Sequence, residues 1–533
     1  MDKAKTAKLL IENIRLPISA GEDEAVSRAK RMIRSAGCFG QAYRIGINKR
    51  SVDARHKDRI TAVYSVYAEC ETRTDKLPDS LGKYGIKPIE SEQLVLPEGN
   101  EKMDGRPVVI GFGPAGIFCS LILARCGFAP LVLERGDRVE KRTEKVGAFL
   151  AGGSFDPETN VQFGAGGAGT FSDGKLTTRI SDKRCSFVTE EMIRLGAPAD
   201  IAVKAKPHIG TDVLRRVIAN ANDEIIRLGG EIRYLTKVDK IADGYVTANG
   251  EAIKYGVLVI ATGHSARDIY SGLISSGFMI EPKPFSAGVR IEHLQSDIDY
   301  AMYGELAGKY GLCHADYALS MRRGGKGVYS FCMCPGGTVV AAASEDGGVV
   351  TNGMSDYARD GKNANAAIAV SIDPCDYGDS PLGAIEFQRK LERAAFEAGG
   401  RTFAAPCQTF GDFKAGTVKH EPKRIMPTYR SGNVVMTDIG ALLPPFITSM
   451  LKDGIADFGR KIKGFDADDV PLTGIETRTS APVRIMREGD LTAVGHGTVY
   501  PCGEGAGYAG GIMSAAVDGI KVAEAILAKY RRN

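Results

Sequence analysis

Apolar positions alternate with a period of two in residues 9–18, 42–48 and 60–69, and recur at helical spacing in 23–35, so the first hundred residues predict strand, helix, strand, strand. Residues 96–106, LPEGNEKMDGR, carry proline, glycine and no periodicity, as a linker does. Next come a continuous apolar run, PVVIGFG, a helix-compatible IFCSLILARC stopped by Gly127, and a second strand, APLVLE, which together make one βαβ unit. A loop-rich stretch is expected to about residue 182, followed by a helix over 211–228 that Gly229 and Gly230 end. Short strands at 232–235, 238–241, 245–248 and 255–261, separated by turns such as Asp243-Gly244 and Asn249-Gly250, predict a small antiparallel meander and a closing strand. From about 282 to 470 the pattern is mixed strands and glycine-rich turns with two helices, 383–397 and 446–465. The chain closes with a strand, a glycine-rich turn and a long helix through Ile526.

A chain of 533 residues exceeds what one core supports, since cores stop growing near roughly 250–300 residues. The pattern divides it into an N-terminal α+β module (1–98), a discontinuous domain (104–282 and 474–533) and an inserted α+β domain (283–473) that is expected to take the substrate. Hydrophobic residues at 43% and charged residues at 25% are ordinary for a globular protein, whereas 65 glycines exceed the usual share of about 7% and announce close backbone approaches. With 69 basic against 65 acidic residues the net charge is +4, so no global field calls for nucleic acid or an anionic membrane. The N-terminus lacks the apolar core of a secretory signal and no run approaches the roughly 20 apolar residues of a membrane span, so a cytoplasmic protein is expected. Eleven scattered cysteines then read as reduced thiols, with Cys119 and Cys126 on one helix face as core packing, and no metal site is expected.

Chemistry concentrates first at Gly111-Phe112-Gly113-Pro114-Ala115-Gly116, a GxGxxG that directly follows a strand and precedes a helix. Gly111 permits the tight turn, Gly113 lets backbone approach a pyrophosphate, Gly116 permits close helix–strand packing, and the helix N-terminus attracts phosphate charge. Glu134 ends the second strand, where a carboxylate accepts hydrogen bonds from an adenosine ribose diol. The same spelling at 164–169 and 505–510 lacks the strand-to-helix context and is read as loop. The fold class expected is α/β with a Rossmann-type FAD/NAD(P)-binding domain.

The strand leading into Ala261, Thr262 and Gly263, together with the C-terminal YPCGEGAGYAGGI, resembles the superfamily of FAD flavoproteins with a glutathione-reductase-like nucleotide domain. The resemblance implies that Gly503 and Glu504 hold the ribityl chain, with Glu where Asp is commoner, and that the helix opening at Gly510, Gly511 and Ile512 points at the flavin pyrimidine. It also places Arg135 and Val238 among the cofactor-binding residues. More closely, FGAGGAGTFSDGKLTTR, PFSAGVRIEH, YSFCMCPGG, ETRTSAPVR and PCGEGAGYAGGIMSAAVDG look like the bacterial family of uncharacterised FAD-dependent, NAD-utilising dehydrogenases. That resemblance implies a non-covalent FAD and hydride transfer through its N5. Ala261-Thr262-Gly263, where related hydroxylases carry Ala-Asp-Gly, leans the reading toward dehydrogenases and reductases. Without a second dinucleotide fingerprint, NAD(P)H is expected as a transient co-substrate and the small-molecule substrate stays open.

Three further side chains are candidates for catalysis. A period of two puts the thiols of Cys332 and Cys334 on one strand face, where they serve either as an electron relay or, as the favoured reading, as two small buried apolar groups. His264 either donates to substrate or flavin or is a hydrogen-bonded structural histidine. The basic run 49–59 would suit RNA phosphates, but it is interspersed with acids, lacks an aromatic platform and is read as a solvated loop. A flavin-dependent RNA-modifying enzyme and a non-catalytic flavin redox sensor therefore stand as alternatives to the oxidoreductase.

Overall fold

A computed structural model describes residues 5–36, 42–72, 79–89 and 94–532. Its N-terminal part is an antiparallel sheet in the order Ala42–Asp53, Thr61–Thr72, Lys5–Pro17, Ile86–Pro88, with the helix Glu22–Ser35 against one face. The alternation read from the sequence is what this sheet buries: Leu9, Ile11, Ile14, Tyr64 and Val66 meet Ala25, Ala29 and Ile33 of the helix. The basic run opens within the strand Ala42–Asp53, and there the Arg50 backbone donates to Val203 O at 2.7 Å and accepts from Ala205 N at 2.9 Å. That part of the run is docked backbone, not a free loop.

Five strands form a wholly parallel sheet in the order Val499–Pro501, Val257–Ile260, Pro107–Ile110, Leu131–Leu133, Glu231–Arg233. Both faces are covered, which is why its strands are continuous apolar runs. On one side lie the helices Pro114–Arg125, Thr211–Arg227, Arg184–Arg194 and Ile512–Lys529, and on the other the meander Val238–Ala242, Tyr245–Ala248, Glu251–Lys254. The helix Pro114–Arg125 buries ten of its twelve residues and so has no polar face to show in the sequence. The strand Glu231–Arg233 joins the edge of the parallel sheet instead of the meander, and the third strand of the meander is Glu251–Lys254, a segment the sequence pattern leaves unassigned.

The remaining core surrounds a seven-stranded sheet in the order Ser320–Arg323, Lys326–Cys334, Asn363–Ile372, Phe285–Leu294, Pro471–Glu476, Ala405–Thr409, Val434–Met436, antiparallel except for its last pair. The helices Gly383–Ala398 and Pro445–Lys461 pack on it. The second ends at Lys461, earlier than its apolar pattern suggests, because Ile462 turns extended and Gly464 follows at a φ of 84°.

Two expectations for connecting segments are corrected. The stretch read as loop contains the helix Val139–Leu150, whose buried face is Val139, Arg142, Val146 and Phe149; a buried arginine on that face hid the apolar stripe. The linker is not free either: Glu101 N donates to Lys529 O at 3.1 Å, and Arg531 N donates to Glu101 O at 2.8 Å. A Cβ on Gly99 would stand 2.2 Å from the Lys529 carbonyl carbon, so this segment lies flat against the end of the last helix.

The two larger sheets are joined through one carboxylate. Glu392, on the helix Gly383–Ala398, accepts from Arg267 Nη1 and Nη2 at 2.8 Å each and from Arg478 Nε and Nη2 at 2.9 and 3.0 Å. All three are buried. Removing the carboxylate leaves the buried Arg478 without an acid, while Arg267 keeps Glu345 at 2.8 Å, and a buried pair broken on one side costs about 3–5 kcal/mol. Glu392→Gln is therefore expected to lower the urea-unfolding free energy by about that much with the fold retained at low urea. A loss under about 1 kcal/mol would show that the contact does not hold the sheets together.

Candidate functional site

An open cleft of about 1470 Å3, its mouth included, lies where the C-terminal ends of three parallel strands meet the seven-stranded sheet. Pro107–Ile110 delivers the turn at Gly111, Val257–Ile260 delivers Ala261 to His264, and Val499–Pro501 delivers Glu504. The facing wall is Phe331 and Cys332 from the large sheet and Asn352 from a separate two-stranded hairpin, Thr338–Ala341 with Thr351–Met354.

The glycines of the first turn divide by what a side chain would meet. A Cβ on Gly111, whose φ is +99°, would lie 2.5 Å from Ala261 O, and one on Gly116 would lie 2.0 Å from Gly111 O. Those two positions are closed by the fold itself. At Gly113 the nearest atom is Gly167 Cα at 3.8 Å, so that position is open toward the cleft. Gly113 is also the N-cap of the helix Pro114–Arg125 and no side chain caps it, as none caps Gly511 at the start of Ile512–Lys529. Two helix N-termini, each with the partial positive charge of free N–H groups, thus open onto one cavity.

Glu134 is buried, and its carboxylate accepts from Gly136 N and Gly164 N on Oε1, at 2.9 and 3.0 Å, and from Phe112 N on Oε2 at 2.8 Å. One lone pair on Oε2 stays available, as a ribose hydroxyl would need. Gly503, at a φ of 76°, donates to Asp518 Oδ2 at 2.7 Å, and Arg487 holds that aspartate by two bonds of 3.0 and 2.6 Å. A Cβ on Gly505 would lie 2.4 Å from Gly263 O, so the C-terminal motif and the Ala261–Gly263 turn lock together.

Of the residues named from sequence, Gly111, Gly113, Pro114, Ala115, Glu134, Ala261, Thr262, Gly263, His264, Cys332, Glu504, Gly510, Gly511 and Ile512 line the cleft. Gly116 and Gly503 lie just behind it as supports. Arg135 stands apart, its guanidinium spent on Glu158 at 2.7 Å and on Asp268 at 3.1 and 3.0 Å, and Val238 packs into the meander core. Cys334 is buried behind Cys332.

The sequence pattern marks 160–175 as loop but gives it no part in the site. Arg142 lies wholly buried beneath it and has no carboxylate partner; its guanidinium donates to the carbonyls of Asn160, Val161, Gly164, Ala165 and Gly167 and to Thr170 Oγ1, at 2.6–3.1 Å. Burial pulls it down to about 9. The loop it shapes brings Gly167 against Gly113 and presents Asp173 and Lys175 to the cleft. Lys175 pairs with Asp173 at 2.9 Å and also donates to Met333 O. The FGAGGAGTFSDGKLTTR stretch was visible as a glycine-rich signature, but nothing in its spacing names Lys175 as a cleft residue.

The alternation expected for the thiols is broken. A bulge between Phe331 and Cys334 inserts a residue, and Cys332 takes a φ of +45°. Cys332 faces the cleft while Met333 and Cys334 are buried. A hydrogen bond from Cys334, against the opposing cost of burial and with Lys175 and Arg290 nearby, holds the Cys332 thiol well below its ordinary range.

His264 is buried with Nδ1 2.9 Å from Ser265 Oγ, which accepts from Arg478 Nη1 at 2.8 Å. Burial, then Arg478 and Arg267, push its imidazole down to about 3, so it is neutral at physiological pH and serves as part of the Glu392 network. Burial raises Glu504 to about 7, opposed by Lys283. Between 4.5 and 7 the folded chain keeps a proton that the unfolded chain has lost, so this group's contribution to stability falls as pH rises through that window. Glu504→Gln removes the titration. The melting temperature of the variant relative to the parent is expected to be higher at about pH 8 than at about pH 5, and a pH-independent difference would place the Glu504 carboxyl in water.

Residues 284–479 match the family of FAD-dependent proteins, C-terminal domain-like. An uncharacterised protein of Clostridium beijerinckii is 48% identical over 499 residues, covering 91% of this chain and 93% of its own length. Among solved structures, CtdE in complex with FAD is similar over 79% of this chain and 84% of its own, at 10% identity and a TM-score of 0.31. NikD, an amino acid oxidase, is similar over 80% and 97%, at 12% identity and 0.32. Likenesses at those TM-scores carry no argument. Among the described residues no helix is long and apolar enough to cross a membrane.

Proposed function

The chain belongs to the same family as the Clostridium beijerinckii protein, with an FAD-dependent protein's C-terminal domain at 284–479, and from that premise we propose that it is an NAD(P)H-utilising FAD oxidoreductase acting on a small molecule. The observation that carries the reading is the single cleft shared by the open Gly113 position, the uncapped helix N-terminus behind it and the free lone pair of Glu134. In this reading the parallel sheet is a Rossmann-type FAD domain and the seven-stranded sheet the inserted substrate domain.

The protein's own groups have separable tasks. Amides at the start of Pro114–Arg125 bind the diphosphate, and the loop held by Arg142 closes over it from the Gly167 side. Glu134 would accept from the ribose diol, while Glu504, raised to about 7 by burial, would line the ribityl path as a carboxyl that keeps its proton on about half the molecules at neutral pH. The helix N-terminus at Ile512 would hold the ring end of a bound flavin, where its N–H groups would favour negative charge. FAD, bound there without a covalent link, would supply two-electron transfer between NAD(P)H and the substrate.

The purified protein is expected to be yellow with FAD released by denaturation. Gly113→Val should fold normally yet lose the cofactor, because the side chain fits the protein but fills the diphosphate position, whereas Gly116→Val should fail to fold. Absorbance at the flavin bands and circular dichroism separate the two effects, and stoichiometric FAD in folded Gly113→Val overturns the assignment.

Among the described residues the other strand–glycine turn–helix unit of the parallel sheet, Val499–Pro501 into Ile512–Lys529, opens on the same cleft and so offers a resident nicotinamide no site of its own. NAD(P)H is accordingly expected to bleach the flavin anaerobically while leaving no complex that survives gel filtration. Stoichiometric nicotinamide retained on the column would contradict a transient site.

A further inference from the structure

We propose that Cys332 and Cys334 are a redox-active dithiol facing the cofactor cleft, whose substrate class is a small disulfide. The pair is built rather than incidental. A bulge and a φ of +45° at Cys332, a conformation that β-carbon-bearing residues rarely adopt, turn its side chain out of the sheet and into the cavity. The same distortion leaves the Cys334 thiol donating to Cys332 O at 3.3 Å, so the two cysteines are in direct contact at the bulge. Two cations hold the backbone between the sulfurs: Arg290 Nη1 donates to Cys332 O at 3.0 Å, and Lys175 donates to Met333 O. Arg290 is itself fixed by Glu476 at 2.7 and 2.8 Å and by Asn365 and Asn352. A pair serving only as apolar filling would need neither cation, and positive charge beside a thiol favours the nucleophilic thiolate.

The recessed position of Cys332, on the wall of a cleft closed behind it by the large sheet, excludes a disulfide embedded in a folded protein and admits a small one. The Cys332 thiolate attacks one sulfur of R–S–S–R′, forming a mixed disulfide and expelling R–S−. Cys334 then attacks Cys332 Sγ, gives up its proton and expels R′–S−, one of the two leaving thiolates taking that proton. The substrate gains two electrons and the pair loses two, becoming a disulfide. Restoring thiolate and thiol takes two electrons and one proton, which rests on the reduced cofactor of the proposed function.

The test uses the full-length protein as purified. Alkylation of Cys332 by iodoacetamide, followed across pH by mass spectrometry, is expected to have its midpoint well below that of an ordinary thiol at about 8.5, and to move up in Lys175→Met and Cys334→Ala. Incubation with bis(2-hydroxyethyl) disulfide should convert the pair to an internal disulfide, and Cys334→Ala should instead trap the mixed disulfide on Cys332. In reductive titration the oxidised parent should take up about twice the electrons per flavin that Cys332→Ser does. An ordinary alkylation midpoint with no thiol loss overturns the proposal even in a fully yellow protein. Disulfide formation in a protein that binds no flavin would sustain the pair and overturn the function proposed above.

Discussion

The cleft exists because one buried carboxylate satisfies two buried guanidiniums that arrive from different parts of the chain. Arg267 follows the parallel strand Val257–Ile260, Arg478 follows the large-sheet strand Pro471–Glu476, and Glu392 stands between them on a helix of the inserted region. Each of these ions would be expensive alone in the interior, so the geometry that unites them is strongly preferred over any small rotation of one sheet against the other. Gln388 and Thr477 add neutral partners, and Ser265 extends the network to His264 at the rim of the cavity. The distance between the glycine turn and the Phe331–Cys332 wall is therefore set electrostatically, by a network whose Arg478, Ser265 and His264 also line the cleft.

Arg142 solves a different problem by the opposite means. Here the cation has no acid, and its solvation is replaced by backbone carbonyls and a threonine hydroxyl. Drawing those carbonyls inward fixes a glycine-rich loop whose regular structure is one short 3-10 turn, Ala168–Phe171, and it leaves a positive charge beneath the loop that borders the cleft. An aspartate at the same depth would stabilise Arg142 better and would cancel that field. Where the protein needs a rigid joint it uses compensated charges, and where it needs a potential it leaves one uncompensated.

What could be read in the sequence follows the same division. The place of the Gly111–Gly116 turn and of Glu134 was legible because it depends on neighbours in the chain: a strand before, a helix after, an acid one strand later. The long helices at 211 and 512 showed their spacing. The helix Val139–Leu150 did not, since its buried face includes Arg142, and an arginine counts as polar in any periodicity. Arg135 was expected at the cofactor from its place beside Glu134, yet Glu158 and Asp268, remote in sequence, claim its guanidinium. Lys175, Asn352 and Arg478 reach the cleft only through tertiary contacts, so no local pattern announces them. The thiol pair was half legible: the spacing was seen, but the bulge that inverts its meaning is a property of pairing with Asn363–Ile372, not of the residues themselves.

That bulge also shows why the reactive wall belongs on the inserted sheet. The parallel strands end in turns constrained by close backbone contact, where Gly111 and Gly505 leave no room for a side chain. Such a surface can cradle a cofactor but cannot present new chemistry without losing its fit. The large sheet meets the cleft with side chains instead, and a single extra residue in Lys326–Cys334 re-aims one of them without disturbing the strands beyond. Glu476 and Arg290, neighbours across the adjoining strands, absorb the distortion by tying the bulged backbone to the sheet centre. On the proposed function, substrate variation should therefore fall on the bulge and on Asn352, tied to it through Arg290, while the glycine turn, Glu134 and the Glu392 network stay under the constraint of holding the cleft's backbone contacts in place.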